Sequence, residues 1–372
     1  LDVSVPAVAR LVGALERGLG GSLFERGPHG LTPTPDGAGW TLLMLVGNHE
    51  LTGDPTAQAS ARTVLARYAG LAADNIRPLR SADGLYKHWI DPLTGATKSG
   101  WPDEFATLST MKIVLGAARA MRHWPADPEI VRAASRIIFR VKNWDAYVTN
   151  TSMAFKGLNV GADPFSFAAG FHEGNIFVEQ AGVYGGTTAA NARINWFNRA
   201  VWPTATFLTG RPISSTAAGR FEAAFISLYA ALVSQPYRAD TSPLGWRTQV
   251  NNLRWSNGAW TDDNGPRHFT VFSAGTTVAG YNADSLSPTN HPDNIATFPS
   301  LLAMAAFGET ADAVAAYAAY RKGARQNFKT GASLLYRRAD TNPSWLPNSA
   351  GLPDVSLGGL GLAELLDPGI LD

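Results

Sequence analysis

From Thr56 onward, apolar residues recur at three- and four-residue spacing, the signature of helices that bury one stripe. Ala57 to Leu71 (AQASARTVLARYAGL), Phe105 to Met121 (FATLSTMKIVLGAARAM) and Pro128 to Val141 (PEIVRAASRIIFRV) carry the pattern best. The last of these opens with a Pro–Glu pair suited to a first turn. Further helices are expected over 190–208 (interrupted near Pro203), 218–234, 294–307 and 310–327. Between them run long stretches rich in Gly, Asn, Asp, Pro and Trp: 83–103, 142–172, 236–268, 280–293 and 338–354. Connections of that length do not suit a four-helix bundle, whose loops are short. They suit an all-α toroid of paired helices, where loops at one end build a site. Val271 to Val278 (VFSAGTTV) is the one expected strand.

Composition narrows the function without naming it. Hydrophobic residues make up 45% of the 372 and charged residues 16%, ample for a large core. Lys plus Arg is 31 against 30 for Asp plus Glu, so no net basic face marks a general nucleic-acid binder. Cysteine is absent, which excludes a disulfide framework and a thiolate zinc site. No cofactor and no metal site are expected. No run reaches the roughly 18 apolar residues of a membrane-spanning helix. The chain begins at Leu1 rather than Met, which leaves room for a signal peptide lost with the true start; a periplasmic or secreted setting is expected, with a cytoplasmic one as the alternative. Eleven Trp, ten Tyr and seventeen Phe beside many Gly, Asn and Asp suit a sugar-binding cleft as well as a core.

The first forty residues read differently. Ser4, Pro6, Ala7, Val8, Leu15 and Glu16, the Leu23-Phe-Glu-Arg strand and a wing at 31–38 closely resemble the winged helix-turn-helix of LysR-type regulators. The first helix of that domain is absent, and no effector-binding domain of alternating strands and helices follows. Residues 1–42 are therefore read as an extension, not expected to bind nucleic acid, and residues 43–372 as the toroid domain.

Four later segments, in order, resemble the glycoamylase-like family, which includes β-1,2-glucanases and the transglycosylase part of cyclic β-1,2-glucan synthases. The first is Gly84-Leu-Tyr-Lys-His-Trp-Ile-Asp-Pro-Leu-Thr-Gly, followed by Asp103-Glu-Phe-Ala-Thr-Leu-Ser-Thr. Tyr86, His88, Trp89, Asp91, Thr94, Gly95, Leu108, Ser109 and Thr110 fit the family pattern. The family's Asp after the Thr is replaced here by Lys112 or Met111, depending on the alignment, a departure that bears on substrate preference. The second is Gly170-Phe-His-Glu-Gly-Asn, where Glu173 matches a carboxylate pointing into the cleft. Before it, Arg140-Val-Lys-Asn-Trp-Asp and Met153-Ala-Phe-Lys-Gly resemble a family run and a short hairpin. The third is Trp260-Thr-Asp-Asp-Asn-Gly-Pro with His291-Pro-Asp-Asn-Ile-Ala, and the fourth is Leu335-Tyr-Arg-Arg-Ala-Asp, Trp345 and Leu352-Pro-Asp-Val-Ser-Leu-Gly. The resemblance implies an (α/α)6 toroid over roughly 83–365 and glycoside chemistry on an oligo- or polysaccharide.

Such chemistry needs one carboxyl group to protonate the leaving oxygen and another to activate water or attack. The pair stands about 6.5–9.5 Å apart for inversion and about 5 Å for retention. One group must stay protonated near neutral pH, through burial or a neighbouring carboxylate. Glu173 is the expected general acid and Asp354, in a Gly/Pro loop, the expected base. His88, Trp89, Asp91, Asp103, Glu104, His172, Trp260, Asp262, Asp263 and Trp345 are expected to bind substrate. Each has a plainer reading. Glu173 could serve a helix N-terminus, Asp354 an N-cap, and Asp103-Glu104 a helix first turn. Asp262-Asp263-Asn264-Gly265 could be turn chemistry, with calcium conceivable. His88 and His172 could be core histidines. The loop tryptophans, Trp101 and Trp144 among them, suit platforms better than Trp196 or Trp202 on helices. The leading expectation is a β-glucan hydrolase. The alternatives are a transglycosylase of the same fold, a non-catalytic glycan binder and a DNA-binding regulator fused to a sugar-sensing toroid.

Overall fold

The computed structural model describes residues 34–91, 94–100, 103–149, 153–156, 166–168, 174–198, 204–207, 211–214, 224–234, 274–277, 280–283, 295–306, 337–339 and 352–370. Two compact units are present: Phe24–Ala169 with Gly174–Arg199, and Leu1–Leu23, Gly170–Glu173 and Ala200–Asp372.

The first unit is a series of helical hairpins: α1 (Pro35–Thr52) with α2 (Pro55–Ala69), α3 (Thr107–His123) with α4 (Pro128–Ile138), and α5 (Asn175–Tyr184) with α6 (Thr187–Phe197). Its sequence punctuates these helices by one repeated device. Thr34, Asp54 and Asp127 each precede a proline and accept a backbone N–H of the first turn, and the proline fills a position that lacks a partner anyway. Gly53 and Gly70 close α1 and α2 at φ 67° and 68°, the left-handed conformation that glycine adopts without steric cost. Asp127 also takes Gln58 Nε2 at 2.7 Å and Arg62 Nε at 2.5 Å, tying α4 to α2.

Helices α1 and α3 run side by side in the same direction. Asp36 meets Lys112 at one end, and His49 Nδ1 meets His123 Nε2 at 2.9 Å at the other. Between these points the backbones nearly touch. A Cβ on Gly39 would stand 2.2 Å from the Lys112 carbonyl, and one on Gly116 would stand 2.5 Å from the Gly39 carbonyl oxygen. Gln180 of α5 then donates to the Met111 carbonyl at 2.9 Å, setting the third hairpin against α3. Trp40, Leu42, Leu43, Ile113, Val114, Ile137, Phe177 and Trp196 are buried around these contacts.

In the second unit α7 (Ala224–Val233), α8 (Phe298–Ala305) and α9 (Leu352–Leu366) bury Leu228, Leu232, Leu302, Leu357 and Leu360. Helices α8 and α9 also approach closely, since a Cβ on Gly361 would lie 2.5 Å from the Ala303 Cα. Four short antiparallel pairs decorate the helices: β1–β2 (Met153–Lys156, Ser166–Ala168), β3–β4 (Thr204–Phe207, Arg211–Ser214), β5–β6 (Ala274–Thr277, Gly280–Ala283) and β7–β8 (Ile295–Thr297, Arg337–Ala339).

Several expectations change. Helices α2, α3 and α4 and strand β5 lie where the pattern put them. The helix expected over 190–208 ends at Phe197, short of Pro203, with β3 taking residues 204–207, and 295–297 is strand before α8 begins. The end of the supposed wing, Pro35–Ala38, is the first turn of α1, because Thr34-Pro35-Asp36 supplies cap, first-position proline and first-turn acid. That helix runs unbroken through residue 42. The stretch 310–327 lies outside the described residues.

Two predictions follow from the α1–α3 contact. Gly116→Ala should lower stability by about 3 kcal/mol or more, because the methyl meets backbone that cannot yield, whereas Ala117→Gly should cost only about 1 kcal/mol; urea melts of both variants measure the difference. His123 is held below its usual value, first by burial and then by His49, with Glu50 opposing. Its contribution is therefore complete above the unfolded value of about 6.5 and is lost as pH falls through the lower folded value. The melting temperature should drop between pH 7.5 and 5.5, and His123→Gln should flatten that slope.

Candidate functional site

The segment Tyr86–Ile90 is extended and stitched on both sides. His88 N–H donates to the Glu104 carbonyl at 2.9 Å, Ala106 N–H to Tyr86 at 2.9 Å, and Lys98 N–H to Trp89 at 3.1 Å. Tyr86 points into the core, where its hydroxyl donates to the Tyr68 carbonyl at 2.7 Å and its ring lies under Arg80. The strip and the two residues ahead of α3 thus form one rigid ledge.

On that ledge the side chains pair by charge. His88 Nδ1 lies 2.7 Å from Glu104 Oε1, and the carboxylate is 6% exposed. The His88 ring stacks on Trp89 with centroids 4.3 Å apart and planes 23° apart. One step along, the buried Lys87 ammonium donates to Asp103, which also accepts from Thr97 Oγ1. Lys87 Nζ lies 4.1 Å from the Phe105 ring centroid as well. These two bonds, from Lys87 first and then Thr97, hold the exposed Asp103 below the usual carboxylate range.

A second buried pair stands behind the ledge. Lys112 Nζ lies 3.0 Å from Asp36 Oδ2, with both side chains largely withdrawn from water. Burial alone would push the Asp36 carboxyl up. The charges of Lys112 and His88, with hydrogen bonds from Ser109 and Lys112, outweigh it and hold the carboxyl below its ordinary value. Ser109, Thr107 and Thr110 are fully buried at the same helix start. For a chain with so few charges, this is a marked concentration of interior charge.

The structure therefore brings His88, Trp89, Asp103 and Glu104 together. Asp91 closes the adjoining turn, its carbonyl accepting from Gly95 N–H at 2.8 Å. Asp103 and Glu104 do not sit in a helix first turn. Helix α3 begins only at Thr107, with Ala106 as its cap, so both acids belong to the extended ledge. Lys87, Thr97 and Asp36 were missed by motif reading. The signal was available: Lys87 sits inside the Tyr-Lys-His-Trp run, and Thr34-Pro35-Asp36 is a helix start. Trp144 is not a platform. It lies in a 3-10 turn (Trp144–Tyr147), 3% exposed, its ring 5.0 Å from Phe177. Trp196 is buried, as a helix tryptophan should be.

Asp354 belongs to the second unit and stands in the first turn of α9 rather than in a loop. It is fully buried, and its Oδ1 accepts from Thr297 Oγ1 at 2.9 Å. Two residues on, Ser356 Oγ meets Tyr229 OH at 2.6 Å. Glu173, His172, Trp260, Asp262, Asp263 and Trp345 lie outside the described residues, as do Trp101 and Trp202. Among the described residues no group of three or more acids or histidines is arranged to hold a metal ion, and no helix is long and apolar enough to cross a membrane.

Comparison with known proteins gives the same two likenesses as the motifs. Residues 1–38 match the bacterial regulatory helix-turn-helix family of the lysR type. No curated protein matches by sequence. Among solved structures, the chain is similar to the endo-β-1,2-glucanase of Chitinophaga pinensis in complex with sophorotriose and glucose, at TM-score 0.73 and 16% identity over 99% of this chain and 94% of that one. It is similar to a glucoamylase-like protein of Bacteroides uniformis at TM-score 0.76 and 13% identity, covering 100% of this chain and 94% of that one. The endo-β-1,2-glucanase of Talaromyces funiculosus with sophorose follows at TM-score 0.57 and 13% identity, over 90% and 75%. The chain thus has the glucoamylase-like fold, an all-α (α/α)6 toroid, with short hairpins in its loops.

Proposed function

We propose that this protein is a glycoside hydrolase acting on a β-glucan, with β-1,2-glucan as the leading substrate. The observation that carries the reading is a fold shared with endo-β-1,2-glucanases together with a stacked His88–Trp89 face whose imidazole is fixed by the buried Glu104. A sugar ring stacks its C–H face on such a surface while its hydroxyls take the polar partners beside it. In this reading Glu173 protonates the leaving oxygen and Asp354 acts as base. In the same reading His172, Trp260, Asp262, Asp263 and Trp345 bind the sugar. We take the toroid domain to begin at Thr34, where α1 starts, with the lysR-like residues as an extension and export to the periplasm or beyond as the setting.

A non-catalytic glycan-binding role is the second reading. It is favoured by Lys112, which stands near the helix-start position where the resembled family carries an acid and is engaged by Asp36.

Reducing-end release from β-1,2-glucan separates the two. The wild-type chain is expected to release sugar, and Glu173→Gln to lose about 10²–10⁴-fold in rate, the worth of a general acid. Binding without release in the wild type would replace the enzyme reading with the binding one. Glu104→Gln should weaken sophorotriose binding roughly tenfold or more, measured by calorimetry, because the His88 ring loses its charged partner.

A further inference from the structure

We propose that Thr297 is a positioning residue for Asp354: its hydroxyl fixes the direction in which that carboxyl group faces, an inference that rests on the reading of Asp354 as the base.

The contact is direct. Thr297 Oγ1 donates to Asp354 Oδ1 at 2.9 Å, and the two residues are 1% and 0% exposed. Solvent therefore does not compete for the bond, which is stronger in a buried setting than it would be in water.

Both partners are held from outside the pair. Thr297 ends β7, where it pairs with Arg337 across the antiparallel ladder to β8, and α8 begins at the next residue. Its branched Cβ restricts χ1, so the hydroxyl has few directions open to it. Asp354 stands in the first turn of α9. In the same turn Ser356 Oγ meets Tyr229 OH at 2.6 Å, which ties α9 to α7 as well. Backbone contact fixes the register of α8 against α9. A Cβ on Gly361 would lie 2.5 Å from Ala303 Cα, and one on Gly358 would lie 3.4 Å from Pro299 Cβ. Helix α9 cannot slide along α8 without a clash, so Thr297 and Asp354 keep their separation.

A buried hydroxyl–carboxyl pair can be no more than a satisfied one. This pair is placed to do more. An acid in a first helical turn commonly serves its own helix start, and a threonine just ahead of a helix commonly caps that helix. Here the bond instead crosses from β7 to α9 and engages one named oxygen of the acid. A base works through the direction of its lone pairs, and a placement error of about 1 Å costs about 10²-fold in rate. A hydroxyl carried on a separate, paired strand supplies that placement.

The test is steady-state hydrolysis of β-1,2-glucan by the full chain, with melting temperatures measured beside it. Asp354→Asn should lose about 10²-fold or more in kcat, as loss of a general base does. Thr297→Val is expected to lower kcat by about 10- to 100-fold with KM little changed, and Thr297→Ser, which keeps the hydroxyl, to retain most of the wild-type kcat. Tyr229→Phe removes a bond from the same turn of α9 without touching Asp354. It should lower the melting temperature and leave kcat near that of the wild type. If Thr297→Val does not fold, Thr297→Ala takes its place with the same expected loss. Wild-type kcat in a folded Thr297 variant, with Asp354→Asn inactive, overturns this inference alone. An equal loss of kcat in Tyr229→Phe overturns it too, because stability would then explain both. No hydrolysis by the wild type, or full hydrolysis by Asp354→Asn, overturns the reading of Asp354 on which the inference stands.

Discussion

The approach of α1 to α3 is backbone on backbone, and the ledge that displays His88 and Trp89 depends on it. Gly39 and Gly116 face each other with no side chain between them, and a methyl at either would collide with carbonyl groups rather than with a movable side chain. Helices packed this closely cannot slide or rotate without a clash. Three residues before the crossing, Asp36 is thereby delivered to Lys112, and ten residues after it His49 is delivered to His123. The ledge is anchored to the same helix start, because Tyr86 N–H donates to Thr110 Oγ1 at 2.9 Å. The glycine contact thus brings Asp36 to Lys112 beside the helix start on which the ledge is anchored.

That cluster runs against the economy of the rest of the chain. Removing an ion pair from water costs several kcal/mol per ion, and the attraction between partners about offsets it only when hydrogen bonding is complete. Lys87, Glu104 and Lys112 are buried beside one helix start, with Asp103, the His88 ring and Asp36 as their respective partners. A stable core would use apolar residues there, as α3 does elsewhere with Ile113, Val114 and Ala117. The arrangement makes sense as a fixed electrostatic surface, in which Asp103 and the His88 ring are held in place before any ligand arrives.

How much of this was legible depended on whether periodicity survived. Helices α2, α3 and α4 each bury one stripe and were read from their spacing. Helix α1 was missed because Trp40, Leu42, Leu43 and Val46 are buried around it together with Gly37, Gly39 and Gly47, so no polar face marks the period. The expected loop over 338–354 overlaps the start of α9, which begins at Leu352 and carries Gly361, the residue that lets Ala303 approach. On the ledge, the motif names His88, Trp89, Asp91, Asp103 and Glu104. It does not name their partners, since Asp36 and Thr97 reach the site by packing and by a turn, and no spacing rule connects residue 36 with residue 112.

Lys112 shows how a buried lysine near a helix start is accommodated. An acid at a helix start is favoured by the dipole, and a lysine in the first turns is not. Buried and alone, its ammonium would be the most costly group in the unit. Asp36 answers it from the first turn of a different helix, where the acid is favoured by its own dipole. The neighbourhood of His88 thus holds a carboxylate within electrostatic reach. Because Asp36 comes from α1, the charge balance around His88 and Glu104 now depends on a helix that begins inside the segment resembling a regulator's wing. Removing α1 together with the extension would therefore strip the ledge of its counter-charge as well as its packing.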